Sequence, residues 1–196
     1  MRSFDYNYLS LRTWDNEILS YVAKIHEYKG KQELYLRQKP VELERLVEVA
    51  KVQSTESSNR IEGIITTKSR LQQLVEDKTT PRNRDEKEIL GYRNVLNLIH
   101  ENYEYIPFRS NYILQLHRDL LQYTELTYGG KYKTILNEID AVLPNGAKRI
   151  LFKPLEPYET PEAIEQICDS YQRALEQEIV DPLILIPCVI LDFLCV

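Results

Sequence analysis

Apolar side chains recur every three to four residues along most of this chain, the period of helices with one buried face. Leu11, Trp14, Ile18, Tyr21, Val22 and Ile25 mark a first helix over 9–28, which Gly30 is expected to end. Pro40 suits the first turn of a second helix that runs from Val41. Leu43, Leu46, Val47 and Ala50 form one face of it, and the same period carries that face through Ser54, Ser57, Ser58 and Ile61. Two readings fit. The helix is unbroken and its inward stripe changes from large aliphatics to small hydroxyls that let a neighbour or ligand come close, or it breaks near Ser54-Thr55 and restarts with one of them as cap. Both leave Ser58 and Glu62 on one face, and Gly63 is a natural residue to follow the helix end.

Further helices carry their own punctuation. Thr66 or Thr67 caps a short one through Leu74, and 83–103 is amphipathic with Ile89, Tyr92, Val95, Leu96 and Ile99 inward. Another lies within 107–123, with Ser110 as its cap. Thr160-Pro161-Glu162 supplies cap, proline and early acid for a helix to about Glu178. Asp181-Pro182 repeats the signal for the last one, in which Pro187 should make a kink.

One segment departs from this period. Over 132–152 the residues favour extended structure (Ile135, Ile139, Val142, then Ile150 and Phe152), divided by Leu143-Pro144-Asn145-Gly146. Asn-Gly between such runs predicts a β-hairpin. A lone hairpin on a helical body has no sheet to complete, so it reads as a flap with an edge open to an extended peptide, or as a plain surface excursion. The predicted fold class is therefore mainly α with one β-hairpin.

Composition narrows the picture. The 196 residues suit a compact domain with a real core. A net charge of −5 argues against a general nucleic-acid binder, although it leaves room for a nucleotide pocket. Cys168, Cys188 and Cys195 are odd in number and lack metal-ligand spacing, which predicts buried thiols in a reducing cytosol. The stretch Met1-Arg2-Ser3-Phe4-Asp5-Tyr6 lacks the apolar core of a signal peptide. The segment 183–196 is too short to span a bilayer and holds Asp192. The expectation is a cytoplasmic protein without a membrane partner.

Glu62 concentrates the candidate chemistry. A carboxylate in the last turn of a helix sits at the negative end of the macrodipole, where a cation is favoured. On an inward face it would also carry a desolvation cost, and both effects call for an arginine. Ser58, one turn earlier, is placed to hydrogen-bond that carboxylate and fix its rotamer. A solvated glutamate at a helix end is the plainer alternative.

The pattern Ser58-x-x-x-Glu62-Gly63 resembles the inhibitory motif of Fic-domain proteins, in the class whose inhibitory helix precedes the catalytic core. Glu33-Leu34-Tyr35 and Arg37-Gln38-Lys39-Pro40 before it, and Thr66 after it, agree. Leu116-His117-Arg118-Asp119-Leu120-Leu121, followed by Gly129-Gly130-Lys131-Tyr132-Lys133, resembles two core segments of the family, with Lys133 where arginine is usual. The 181–193 segment resembles the helix that leads into the family's active site. The resemblance implies a helical Fic-like fold: a region 1–80 with the inhibitory helix at about 41–63, then a partial core over 81–196. The hairpin at about 132–152 falls at the family's target-docking flap, with Ile135, Leu136, Ile139 and Val142 as docking residues.

The family's His-Pro-Phe motif, with its glycine nest, acidic metal ligand and two arginines, does not occur in these residues; His26, His100 and His117 stand in other contexts. The chain thus reads as truncated just before its catalytic loop, with no catalytic or metal-binding residue of its own and no expected activity. For the intact protein the resemblance implies ATP and Mg²⁺ as cofactors and transfer of AMP to a Tyr, Thr or Ser hydroxyl of a target protein, self-modification included. It implies that Glu62 pairs with the second arginine of the motif, takes the place of the ATP γ-phosphate and so forms part of the ATP site. A non-catalytic helical module that binds a peptide at the hairpin is the alternative. Removal of AMP, transfer of another group and a homo-oligomer all remain open.

Overall fold

A computed structural model describes residues 4–38 and 40–196. Met1–Ser3 of the N-terminal segment, and Lys39 of the Arg37–Pro40 segment, lie outside the described residues. Seven α-helices are formed among those described: α1 (Asn16–Gln38), α2 (Pro40–Ile61), α3 (Lys68–Val75), α4 (Arg84–Asn102), α5 (Ser110–Leu120), α6 (Thr160–Glu176) and α7 (Pro182–Leu194). Strands β1 (Ile139–Val142) and β2 (Lys148–Phe152) form one antiparallel hairpin. The chain divides into two compact units. Of the described residues, one holds 4–13, 108–115 and 130–196, and the other holds 14–38, 40–107 and 116–129.

Local chemistry explains most helix starts. Thr67, rather than Thr66, caps α3 by accepting the Arg70 N–H at 3.3 Å. Asn83 caps α4 through the Glu86 N–H at 2.9 Å, and Asp181 caps α7 through the Leu183 N–H at 2.9 Å. Pro161 lies in the first turn of α6, whose first residue is Thr160 itself, with Glu159 before it. Helix α7 continues through Pro187.

The start of the chain differs from the expected single helix. Residues Tyr6–Leu11 form a 3-10 turn opened by Asp5, and α1 begins only at Asn16, with Asp15 accepting the Ile18 N–H at 2.8 Å. Gly30 does not end α1, which runs on to Gln38. A glycine inside a helix costs about 1 kcal/mol relative to alanine, and here the Glu27–Lys31 ion pair spans it one turn apart.

In the unit holding α1–α4, Leu71, Leu74, Val75 and Ile89 form the core, with Val52 and Ile64 packed on it. Two polar clusters, centred on the buried Glu86 and Arg93, brace it. Arg70 grips the Glu86 carboxylate with two hydrogen bonds of 2.9 Å, and Arg93 donates to the Leu74 carbonyl at 2.7 Å and to Asp77 at 2.9 Å. In the other unit, α6 and α7 pack together and α6 covers the 3-10 turn, with Tyr6, Ile167 and Leu185 buried. The Ser170 hydroxyl donates to the Phe4 carbonyl at 2.6 Å.

The hairpin is shorter than expected. Its register pairs Asp140 with Ile150, Ala141 with Arg149 and Val142 with Lys148, and Leu151 bulges before Phe152 meets Ile139. The register ends there, so the β-friendly residues 132–138 lack a paired strand and form bends and irregular backbone. Ile135 and Leu136 are thus outside the strands, whereas Ile139 and Val142 lie on β1. The turn is closed by the Leu143 N–H to the Ala147 carbonyl at 2.9 Å, and Asp140 pairs with Lys148 across the strands at 2.9 Å.

Candidate functional site

Helix α2 is unbroken through Ser54-Thr55, which removes the second of the two sequence readings. Its buried face is not the predicted one. Thr55 and Asn59 are buried and Val52 is half-buried, while Leu46, Val47, Ser54, Ser57 and Ile61 are exposed, Ile61 at 83%. The core presented by α3 and α4 sets this face. The aliphatic stripe of the first turns has no matching cover, so continuing its period pointed at the wrong side. Thr55 and Asn59 are neutralised inside the helix itself. The Thr55 hydroxyl donates to the Lys51 carbonyl at 2.7 Å, and the Asn59 amide donates to the Thr55 carbonyl at 2.8 Å.

The end of α2 follows from Gly63. Its φ of 77° is left-handed, a conformation a side chain resists. The Gly63 N–H reaches the Arg60 carbonyl at 3.1 Å, and the Ile64 N–H reaches the Asn59 carbonyl at 2.9 Å. This paired closure satisfies two of the terminal carbonyls and turns the chain so that Ile64 packs back on the core.

Ser58 and Glu62 line one groove of about 340 Å³ with Asn59, Ile64, Glu88 and Tyr92, closed by Leu120 and Leu121. The two motif residues are therefore brought together, but without the predicted bond between them. The Ser58 hydroxyl is hydrogen-bonded to the Tyr92 hydroxyl at 2.8 Å, and Ser54 approaches the same oxygen at 3.3 Å. Glu62 is exposed, so the argument from desolvation does not apply to it. Its carboxylate has no hydrogen-bond or ion-pair partner among the described residues. The second carboxylate of the groove, Glu88, is paired with Arg84 at 2.8 Å. The groove thus offers one unengaged anion at the negative end of a helix, a setting for a guanidinium.

Tyr92 is the residue whose role the sequence pattern missed. The helical period marks it only as an inward apolar position, and its approach to α2 is what brings its hydroxyl to Ser58. Beside it, Gly91 lets α4 meet the end of α5, where a β-carbon would stand 1.9 Å from the Leu120 carbonyl oxygen. That contact uses the Leu116–Leu121 segment singled out in the sequence, whose His117 ring lies 6.2 Å from Tyr128.

Elsewhere, Lys133 donates to the main-chain oxygen of Val196, and burial lowers its pKa. Cys168, Cys188 and Cys195 are free thiols; burial pushes Cys168 up to about 11 and raises Cys188 as well. The described residues gather no group of three or more His, Cys, Asp or Glu able to hold a metal ion. Among the described residues, no helix is long and apolar enough to cross a membrane.

No protein-family model matches the chain, and no curated protein matches it. Among solved structures, a Fic-domain-containing signaling protein from Bacteroides thetaiotaomicron VPI-5482 is similar, with a TM-score of 0.64 and 24% identity over 75% of this chain. The chain spans a little over half, 55%, of that protein's length. Mainly helical, with one antiparallel hairpin, this chain has a Fic-like fold.

Proposed function

We propose that this chain is the N-terminal and core portion of a protein adenylyltransferase, which transfers AMP from ATP to a hydroxyl side chain of a target protein, and that Glu62 is its built-in brake. One observation carries this reading. On a Fic-like fold, Ser58-x-x-x-Glu62-Gly63 occupies the closing turn of a helix, and its carboxylate lines a groove without a partner among the described residues. A guanidinium docking there is favoured by the carboxylate and by the helix terminus together. An arginine engaged in this way is withheld from the γ-phosphate of ATP. The catalytic base, the phosphate nest and the acidic Mg²⁺ ligand are proposed to lie beyond the 196 residues.

The hairpin supports a second reading, a non-catalytic module that binds an extended peptide. Ile139, Val142, Ile150 and Leu151 are all more than half exposed, and a two-stranded sheet leaves both outer edges unpaired within it. Two experiments separate the readings. The adenylyltransferase reading expects an in-frame His-Pro-Phe motif after Val196 in the encoding gene, and no transfer from labelled ATP with Mg²⁺ by purified 1–196. Absence of the motif favours the peptide-binding module, and labelling by 1–196 places the active site elsewhere.

A further inference from the structure

We propose that Tyr92 is a positioning residue, the latch that holds the Ser58–Glu62 turn of α2 against α4. The latch is argued from geometry, and its regulatory consequence rests on the function proposed above. The first turns of α2 offer little anchorage: Leu46, Val47 and Val49 are exposed. In the second half, Val52, Thr55 and Asn59 face the core, but the polar groups of Thr55 and Asn59 are spent inside α2. Among the described residues, the side-chain hydrogen bonds that join α2 to α4 all end on one atom, the Tyr92 hydroxyl oxygen. Ser54 and Ser58, one turn apart, reach it at 3.3 and 2.8 Å. A phenol can donate one hydrogen bond and accept another, so one oxygen serves both serines. Removing that oxygen removes every such polar tie between the helix bearing the motif and the helix on which it lies. The Glu62 carboxylate, one turn beyond Ser58, has no hydrogen-bond or ion-pair partner among the described residues.

The test is amide hydrogen exchange on the 196-residue chain carrying Tyr92→Phe, which keeps the ring and deletes the oxygen. Amides of 55–62 should exchange about tenfold faster than in wild type, with 89–96 of α4 unchanged. Ser54→Ala/Ser58→Ala should reproduce this profile, and adding Tyr92→Phe to that pair should have no further effect. Ser58→Thr, which restores a hydroxyl, should keep the protection. An unchanged profile in Tyr92→Phe, or acceleration spread evenly over α3 and α4, would overturn the latch. A second readout, in a protein competent for transfer, separates the latch from the brake. If Glu62→Gly raises labelling and Tyr92→Phe does not, the regulatory role of Tyr92 falls. If neither raises it, the brake falls, and the exchange profile alone decides the latch.

Discussion

Gly91 lies beneath the carbonyl of Leu120, so closely that a β-carbon on residue 91 would stand 1.9 Å from its oxygen. The atom met is backbone, which cannot rotate away as a side chain does. Gly91→Ala must therefore push the end of α5 off α4. The expected loss is about 3 kcal/mol, the upper end of ordinary overpacking costs. The urea-unfolding midpoint measures it, and a midpoint equal to wild type would mean that this contact is not made.

Glu86 gives the protein a defined acid sensitivity. Its carboxylate is held below its ordinary value of 4.5, first by the hydrogen bond from Arg70 and then by the Arg82 N–H and the nearby positive charges, against the opposing effect of burial. A carboxylate with a depressed folded-state pKa binds fewer protons folded than unfolded. Its contribution is complete above the ordinary value and is lost as pH falls through the lowered one. Stability followed across the acid range should show this loss, and Glu86→Gln should be less stable at neutral pH with a flatter acid limb. An acid limb identical in both proteins would contradict the assignment.

Cys168 should be inert while the protein is folded. Burial raises its thiol from 9.0 to about 11, with the carboxylates of Asp169 and Glu165 adding to the effect. This leaves about a hundredfold less thiolate at neutral pH than an ordinary cysteine. Alkylation followed by mass spectrometry should mark Cys168 only after denaturation. Labelling of Cys168 in the native protein as fast as in the denatured chain would contradict its burial.

The hairpin makes a positional prediction. Ile139 is paired with Phe152, whereas Ile135 precedes the strand. If the flap positions a target by main-chain pairing, Ile139→Pro should impair transfer to a protein target in the transfer-competent protein and leave ATP binding intact. Ile135→Pro should be much milder. Equal effects of the two, or loss of ATP binding, would make the hairpin a structural part instead.

These residues also show where the sequence was legible. Thr67, Asn83, Asp181 and Gly63 act on neighbours a few positions away, so helix ends could be read from local chemistry. The inward side of α2 could not. It depends on Leu71, Leu74 and Ile89, which arrive from other helices, and the aliphatics of its first turns advertised a face that remains uncovered. Strand propensity over 132–138 was real but lacked a partner strand to pair with. Tyr92 is separated from Ser58 by 34 positions, and no periodicity announces a bond between two hydroxyls across that distance.

The brake itself is tested most directly by one comparison: transfer of label from ATP by the protein carrying its catalytic motif, wild type against Glu62→Gly, at matched folding stability. Freeing the arginine for the γ-phosphate restores a charge-assisted contact of about 1.5–3 kcal/mol, so labelling should rise roughly ten- to a hundredfold. Ser58→Ala should raise it less, because the carboxylate remains. Labelling that is unchanged or reduced in a folded Glu62→Gly protein would contradict the account and leave Glu62 a solvated residue at the end of a helix.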